Sequence, residues 1–227
     1  MPISRLQYLQ AMDIVAWRAR AGRGANAPIA PAPEIDVPVF ARADAGWEAL
    51  QARVRVCNAC RLHAGRTQTV FGVGDPHAQW MVIGEGPGAD EDQQGEPFVG
   101  KAGQLLNAML AAIGLARGKV YIANIVKCRP PQNREPASDE VAACMGYLHA
   151  QIDLVQPRII LCVGKVAASN LLGRDEPIGR MRGTVHQFKK IPTVVTYHPA
   201  YLLRSPLEKR KAWEDLKLAR RVVQQGL

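Results

Sequence analysis

The chain has 227 residues, 48% hydrophobic and 22% charged, which is material for one sizeable globular core or a core plus a tail. No apolar run approaches the length of a spanning helix, and Met1 to Arg20 carries scattered charge without an apolar signal core, so the expectation is a cytoplasmic protein with no membrane segment. The formal charge of +9 draws polyanions, of which nucleic acid is the commonest, although a membrane surface attracts the same charge.

The first twenty residues read as a short amphipathic helix carrying Leu6, Leu9, Ile14 and Trp17. Ala21 to Asp44 is rich in Ala, Pro and Gly and suits a linker, so the expected division is 1–44 as helix plus linker and 45–227 as the domain. Beyond Ala45, where a helical pattern begins, apolar runs alternate with helical patterns. Strands are predicted at Trp80 to Gly84, Val120 to Val126, Ile159 to Val163 and Thr193 to Tyr197. Helices are predicted at about Ala102 to Ile113, Ser138 to Leu154 with Ser138 as N-cap, from Gly164 onward, and Glu208 to Gln224. This order predicts an α/β fold: one domain with a four-stranded parallel sheet sandwiched between helices. Sites in such sheets lie at the carboxyl ends of the strands, which selects the segments GEGPGADEDQQGEPFVG, KCRPPQNR, GKVAAS and HPAYLLR.

Five cysteines in a reducing compartment argue against disulfides. Cys57 and Cys60 form a C-x-x-C pair, Cys128 follows a strand, and Cys144 lies on the next helix. Four soft thiolates suit zinc or an iron–sulfur cluster, and the spread second pair favours a cluster. Cys162, within IILCV, reads as a buried apolar residue.

The loop Gly84 to Gly103 resembles the first motif of family 4 uracil-DNA glycosylases. The run from Asn124 to Pro131 (NIVKCRPP), the run from His198 to Arg204 (HPAYLLR) and the order of the four cysteines resemble the same family. The resemblance covers about Cys57 to the C-terminus and not the first forty-odd residues. It implies the superfamily fold, a [4Fe-4S] cluster on Cys57, Cys60, Cys128 and Cys144, uracil-containing DNA as substrate, and hydrolysis of the deoxyuridine N-glycosidic bond by a monomer.

Such chemistry needs a pocket that reads an extruded base and receives its negative charge. Asn124 can accept from uracil N3–H and donate to O4, a pattern cytosine reverses. Phe98 is a candidate stacking platform, although a core role is the more common one for Phe. By resemblance, His198 donates to uracil O2 and stabilises the leaving anion. Gly84, Gly86 and Gly88, with Pro87 between them, allow close backbone approach. In the better-known uracil glycosylases a carboxylate stands where this chain has Gly86, and an aromatic ring that excludes thymine stands at Gly88. Both departures are typical of family 4, and they leave Glu85 to hold uracil and Glu91 to position water and stabilise the cationic sugar. Asp92 is the other remaining carboxylate. Tyr201, Leu202 and Leu203 could wedge the duplex, with Arg204, Arg129, Arg134 and Lys209 to Lys211 on phosphates.

The segment SRLQYLQAMDIVAW resembles the N-terminal peptide of the psi subunit of the bacterial polymerase III clamp loader, which implies a helix-in-groove tether to replication or repair proteins through residues 1–20. Two other readings remain: a uracil-DNA binding protein that traps without turnover, and an iron–sulfur redox protein. The first would carry a basic insertion with a reactive histidine, and CRPPQNREPASDE has no histidine. The second would not require Asn124, Phe98 and His198 together.

Overall fold

Runs that are apolar at every position become strands that water never reaches. In the computed structural model, which describes residues 43–225, β2 (Trp80–Gly84) and β4 (Ile159–Val163) are buried along their whole length. They form the centre of a sheet with β3 (Tyr121–Asn124) and β6 (Ile191–Thr196), in which β3, β2, β4 and β6 are parallel neighbours.

The sheet is larger and more mixed than the four parallel strands expected. β1 (Val73–Gly74) adds antiparallel to β3, and β5 (Val185–Phe188) adds antiparallel to β6, giving the order β1-β3-β2-β4-β6-β5. Both escaped the sequence pattern for physical reasons. β1 has two residues, and β5 has no buried position, so neither carries an apolar run.

Alternate residues of the strands feed two separate apolar layers, as a period of two requires. Met81, Ile83, Ile160 and Cys162 pack against Leu148 and Ile152 of α4 (Ser138–Val155) and Leu171 of α5 (Lys165–Leu172). Trp80, Val82, Leu161 and Val194 pack against Leu106 and Leu110 of α3 (Lys101–Ala112) and Leu216 and Ala219 of α8 (Lys209–Gln225). Beyond α4, the helix α1 (Ala43–Arg55) buries Leu50 and Val54 with Phe71 and Ala150.

Most predicted helix ends shift by one residue. The N-terminus of α4 differs in kind: Ser138 is its first helical residue, and Ala137 occupies the cap. A longer side chain does the capping, because Glu140 Oε2 accepts from the Ala137 amide at 2.8 Å. The strand expected to run on to Val126 stops sooner, since Ile125 and Val126 leave β3 after Asn124. The helix α1 starts at Ala43, two residues before the expected boundary. The N-terminal helix, the rest of the linker and the tether through residues 1–20 lie outside the described residues. No described helix is long and apolar enough to cross a membrane.

The segments after the strands contain two short helices where loops were expected, α2 (Ala89–Gln94) and α7 (Pro199–Arg204). The remaining short helix, α6 (Ile178–Met181), lies before β5.

Candidate active site

The ends of β2, β3 and β6 open into a cleft of about 440 Å³ whose walls include Glu85, Phe98, Asn124 and His198. Loop segments distant in sequence therefore meet where the sheet topology puts them.

Asn124 ends β3 and is 2% exposed. Its Oδ1 is buried without a hydrogen-bond partner, an expensive state unless a ligand supplies a donor. The backbone behind it is anchored by a residue that sequence reasoning missed. Lys127 is 1% exposed, and its Nζ donates to the Asn124 carbonyl at 2.9 Å and to Gln151 Oε1 at 2.6 Å. Gln151 in turn donates to the Phe71 carbonyl and the Tyr121 hydroxyl. Burial lowers the Lys127 ammonium to about 8, against the neighbouring Cys144 and Cys128, which favour its charge. A lone lysine at the end of an apolar run, between Val126 and Cys128, was the available signal.

Phe98 holds a left-handed backbone with φ of 56°, which costs a non-glycine residue about 1–3 kcal/mol. Its ring belongs to an apolar layer and also lines the cleft. The ring stands 5.6 Å from that of His198, tilted by 31°. A Cβ on Gly103 would overlap the Phe98 carbonyl, which explains glycine at that point of α3.

His198 caps α7, with its Nδ1 accepting from the Ala200 amide at 3.1 Å. That bond leaves the proton of the neutral ring on Nε2. Burial, aided by Arg204 and opposed by Glu91, lowers its pKa to about 4, so the imidazole is neutral near pH 7.

The carboxylates divide sharply. Burial, with Glu135 adding, raises Glu85 to about 7. Glu91 lines the cleft, yet its oxygens already accept from three amides: Gly88 at 3.0 Å, Val99 at 3.0 Å and Gly100 at 3.2 Å. Asp92 lies outside the cleft wall and is buried: it is 3% exposed, and both its oxygens accept from the Thr67 amide at 3.0 Å. Pro87 and Gly88 line the cleft, and a Cβ on Gly86 would press on Val126.

Comparison with known proteins decides the family. The model of the uracil DNA glycosylase superfamily matches residues 71–217, which contain every cleft residue named above. This chain belongs to that superfamily. A type-4 uracil-DNA glycosylase of Archaeoglobus fulgidus is 44% identical over 169 residues, covering 71% of this chain and 85% of the relative. Those of Pyrobaculum aerophilum and Thermotoga maritima are 41% and 42% identical, covering 74% and 76% of this chain and 90% and 92% of the relatives.

Around the cleft of this superfamily member, the outer residues sort by exposure. Tyr201 and Leu203 are 37% and 43% exposed, whereas Leu202, expected to contact DNA, is 1% exposed in the core. Successive side chains of α7 are turned about 100° apart around the axis, and Leu202 is the one directed into the core. Arg204 is exposed and lines the cleft. Arg134 lines it too, but grips the buried Glu140 through two bonds of 2.8 and 2.6 Å. Arg129 bonds Asn133 at 2.8 Å, outside the cleft wall.

Cys57, Cys60, Cys128 and Cys144 line one cavity with the apolar Val54, Ala59 and Ala143. Among the described residues, no three His, Cys, Asp or Glu side chains are grouped closely enough for a single metal ion. Arg66 donates to Cys128 Sγ at 3.1 Å, and the Lys127 amide to Cys144 Sγ at 3.3 Å. Burial raises both thiols, Cys144 to about 11, with Arg66 and Lys127 respectively opposing it. Cys162 is raised to about 12 by burial alone.

Proposed function

We propose that this protein is a type 4 uracil-DNA glycosylase, which hydrolyses the bond between uracil and deoxyribose and leaves an abasic site. The observation that carries this reading is the unpartnered Oδ1 of Asn124, buried at a cleft that an aromatic ring and a neutral imidazole also line. Uracil offers N3–H to that oxygen and O4 to the amide nitrogen. Cytosine reverses both groups, and each mismatch costs about 1–3 kcal/mol.

Phe98 flanks the flipped base, and His198 donates from Nε2 to O2. A neutral donor suits a charge that develops only as the C1′–N1 bond breaks, because it strengthens most in the transition state. Water supplies hydroxide to C1′, and its proton ends on the departing uracil. Glu85, protonated below about pH 7, can donate to the base. Glu91 uses three of roughly four acceptor positions on backbone amides, which leaves one toward water and its charge near the cationic sugar. Extrusion of the base costs a few kcal/mol. The exposed Tyr201 and Leu203 beside the cleft supply the wedge, and Arg204 a phosphate contact.

Cys57, Cys60, Cys128 and Cys144 fit a [4Fe-4S] cluster. Four soft donors line one cavity, and the spread of the second pair over a loop and a helix favours a cluster over zinc. When bound, it ties the segment after α1 to the β3 loop and α4. The decisive test is an oligonucleotide with one deoxyuridine: incubation followed by alkali should cut it at that position, and an uncut strand from folded, iron-replete protein would reject the assignment.

A further inference from the structure

Arg117 lies outside the cleft wall, in a turn of 3₁₀ helix at Arg117–Lys119 before β3. Its guanidinium nevertheless reaches the segment that carries the aromatic ring. Nη2 donates to the Pro97 carbonyl at 2.6 Å, and Nη1 donates to the Phe98 carbonyl at 3.2 Å and to Asn107 Oδ1 at 3.2 Å.

The two carbonyls belong to the two peptide units that flank the Phe98 Cα. The orientation of the first sets φ of Phe98, and that of the second sets ψ, so one planar fork restrains both dihedrals. The second peptide is held at its other end as well, because the Val99 amide donates to Glu91 Oε1 at 3.0 Å. Its carbonyl thus faces a cation and its N–H an anion, both charge-assisted bonds. This hold acts where the backbone has a φ of 56° and would otherwise relax to a negative value.

We propose that Arg117 is a positioning residue for base recognition: it keeps Phe98 in its left-handed conformation and so fixes the ring against which the base stacks. The inference rests on the reading of Phe98 as the stacking surface. A lysine cannot replace the fork, since its single ammonium lacks the planar pair of donors that meets both carbonyls.

The test compares Arg117→Met, Arg117→Lys, Phe98→Leu and the double variant Arg117→Met/Phe98→Leu, with folding checked by circular dichroism and melting temperature. Three readouts are excision kinetics, inhibition by free uracil, and affinity for abasic-site DNA, which lacks the base. Arg117→Met should lower excision about tenfold and weaken uracil inhibition to a similar extent, with abasic-DNA affinity unchanged. It should add nothing in the Phe98→Leu background. Arg117→Lys should show a partial loss in the same two readouts, which carries the test should the apolar variant not fold. Wild-type behaviour of Arg117→Lys, losses that multiply in the double variant, or a parallel loss of abasic-DNA affinity would each overturn the proposal. Wild-type excision by Phe98→Leu would instead remove the stacking reading on which it stands.

Discussion

Gly84 and Asn124 are register partners at the carboxyl ends of β2 and β3, and a methyl group on Gly84 would lie 2.5 Å from Asn124 Oδ1. The same methyl would lie 2.5 Å from Phe98 Cζ. The φ of Gly84 is not in the positive region, so the backbone would accept alanine and only the space would not. Gly84→Ala should therefore fold normally while displacing the reading amide and the flanking ring together. Excision should fall by on the order of 10²-fold, because a displacement of about 1 Å at a reacting site costs that much. Single-turnover kinetics beside a melting curve checks both halves.

The pH dependence follows from Glu85 and His198. If protonated Glu85 is the form that holds uracil, kcat/KM of the wild-type enzyme should fall above about pH 7. Glu85→Gln, which stays neutral and keeps a donor, should lose that limb. Stability moves in a defined direction too. Between 4.5 and about 7 the folded chain holds the Glu85 proton more tightly than the unfolded chain, so this contribution to folding is lost as pH rises through that window. His198 has the opposite sign: between about 4 and 6.5 the unfolded chain binds the extra proton, so its contribution is lost as pH falls. Urea unfolding at several pH values should show Glu85→Gln gaining on wild type from pH 4.5 to about 7.

Adjacent leucines of α7 should behave as different kinds of residue. Leu202 sits at 1% exposure among Leu216, Ala212 and Met109, so Leu202→Ala should cost about 2–5 kcal/mol of stability. Leu203 is 43% exposed, and Leu203→Ala should leave the melting temperature nearly unchanged. Its loss should appear in excision from duplex DNA and much less from a single strand, where no partner base leaves a hole to fill. Equal losses on both substrates would remove Leu203 as the wedge.

The central strands were legible because each is apolar at every position, as strands covered on both faces must be. Glu85, Asn124 and His198 were legible because they stand at or just after the ends of those strands, where parallel sheets build sites, and Phe98 because it interrupts a polar, glycine-containing loop. What stayed hidden depends on contacts between distant segments. No local pattern announces that Glu91 will bond the amides of Val99 and Gly100, that Asp92 will turn to Thr67, or that Arg134 will be taken up by Glu140. Leu202 and Leu203 could not be separated by composition, because only the pitch of an unexpected helix decides which one faces the solvent.

The cysteines give a prediction that separates a ligand from a buried thiol. Cys162 lies in β4 with burial as the one influence raising it, whereas Cys128 and Cys144 have cationic neighbours in Arg66 and Lys127. Cations beside buried sulfur make sense where thiolates are to be held, because they offset the cost of deprotonation in an apolar cavity. Cys128→Ser and Cys144→Ser should each lose most of the bound iron and acid-labile sulfide, together with the visible absorption of the purified protein. Cys162→Ala should keep all three. Because the cavity joins the segment after α1 to α4, iron loss should also lower the melting temperature. Iron retained in both serine variants would show that these thiols are packing residues and that the iron is held elsewhere.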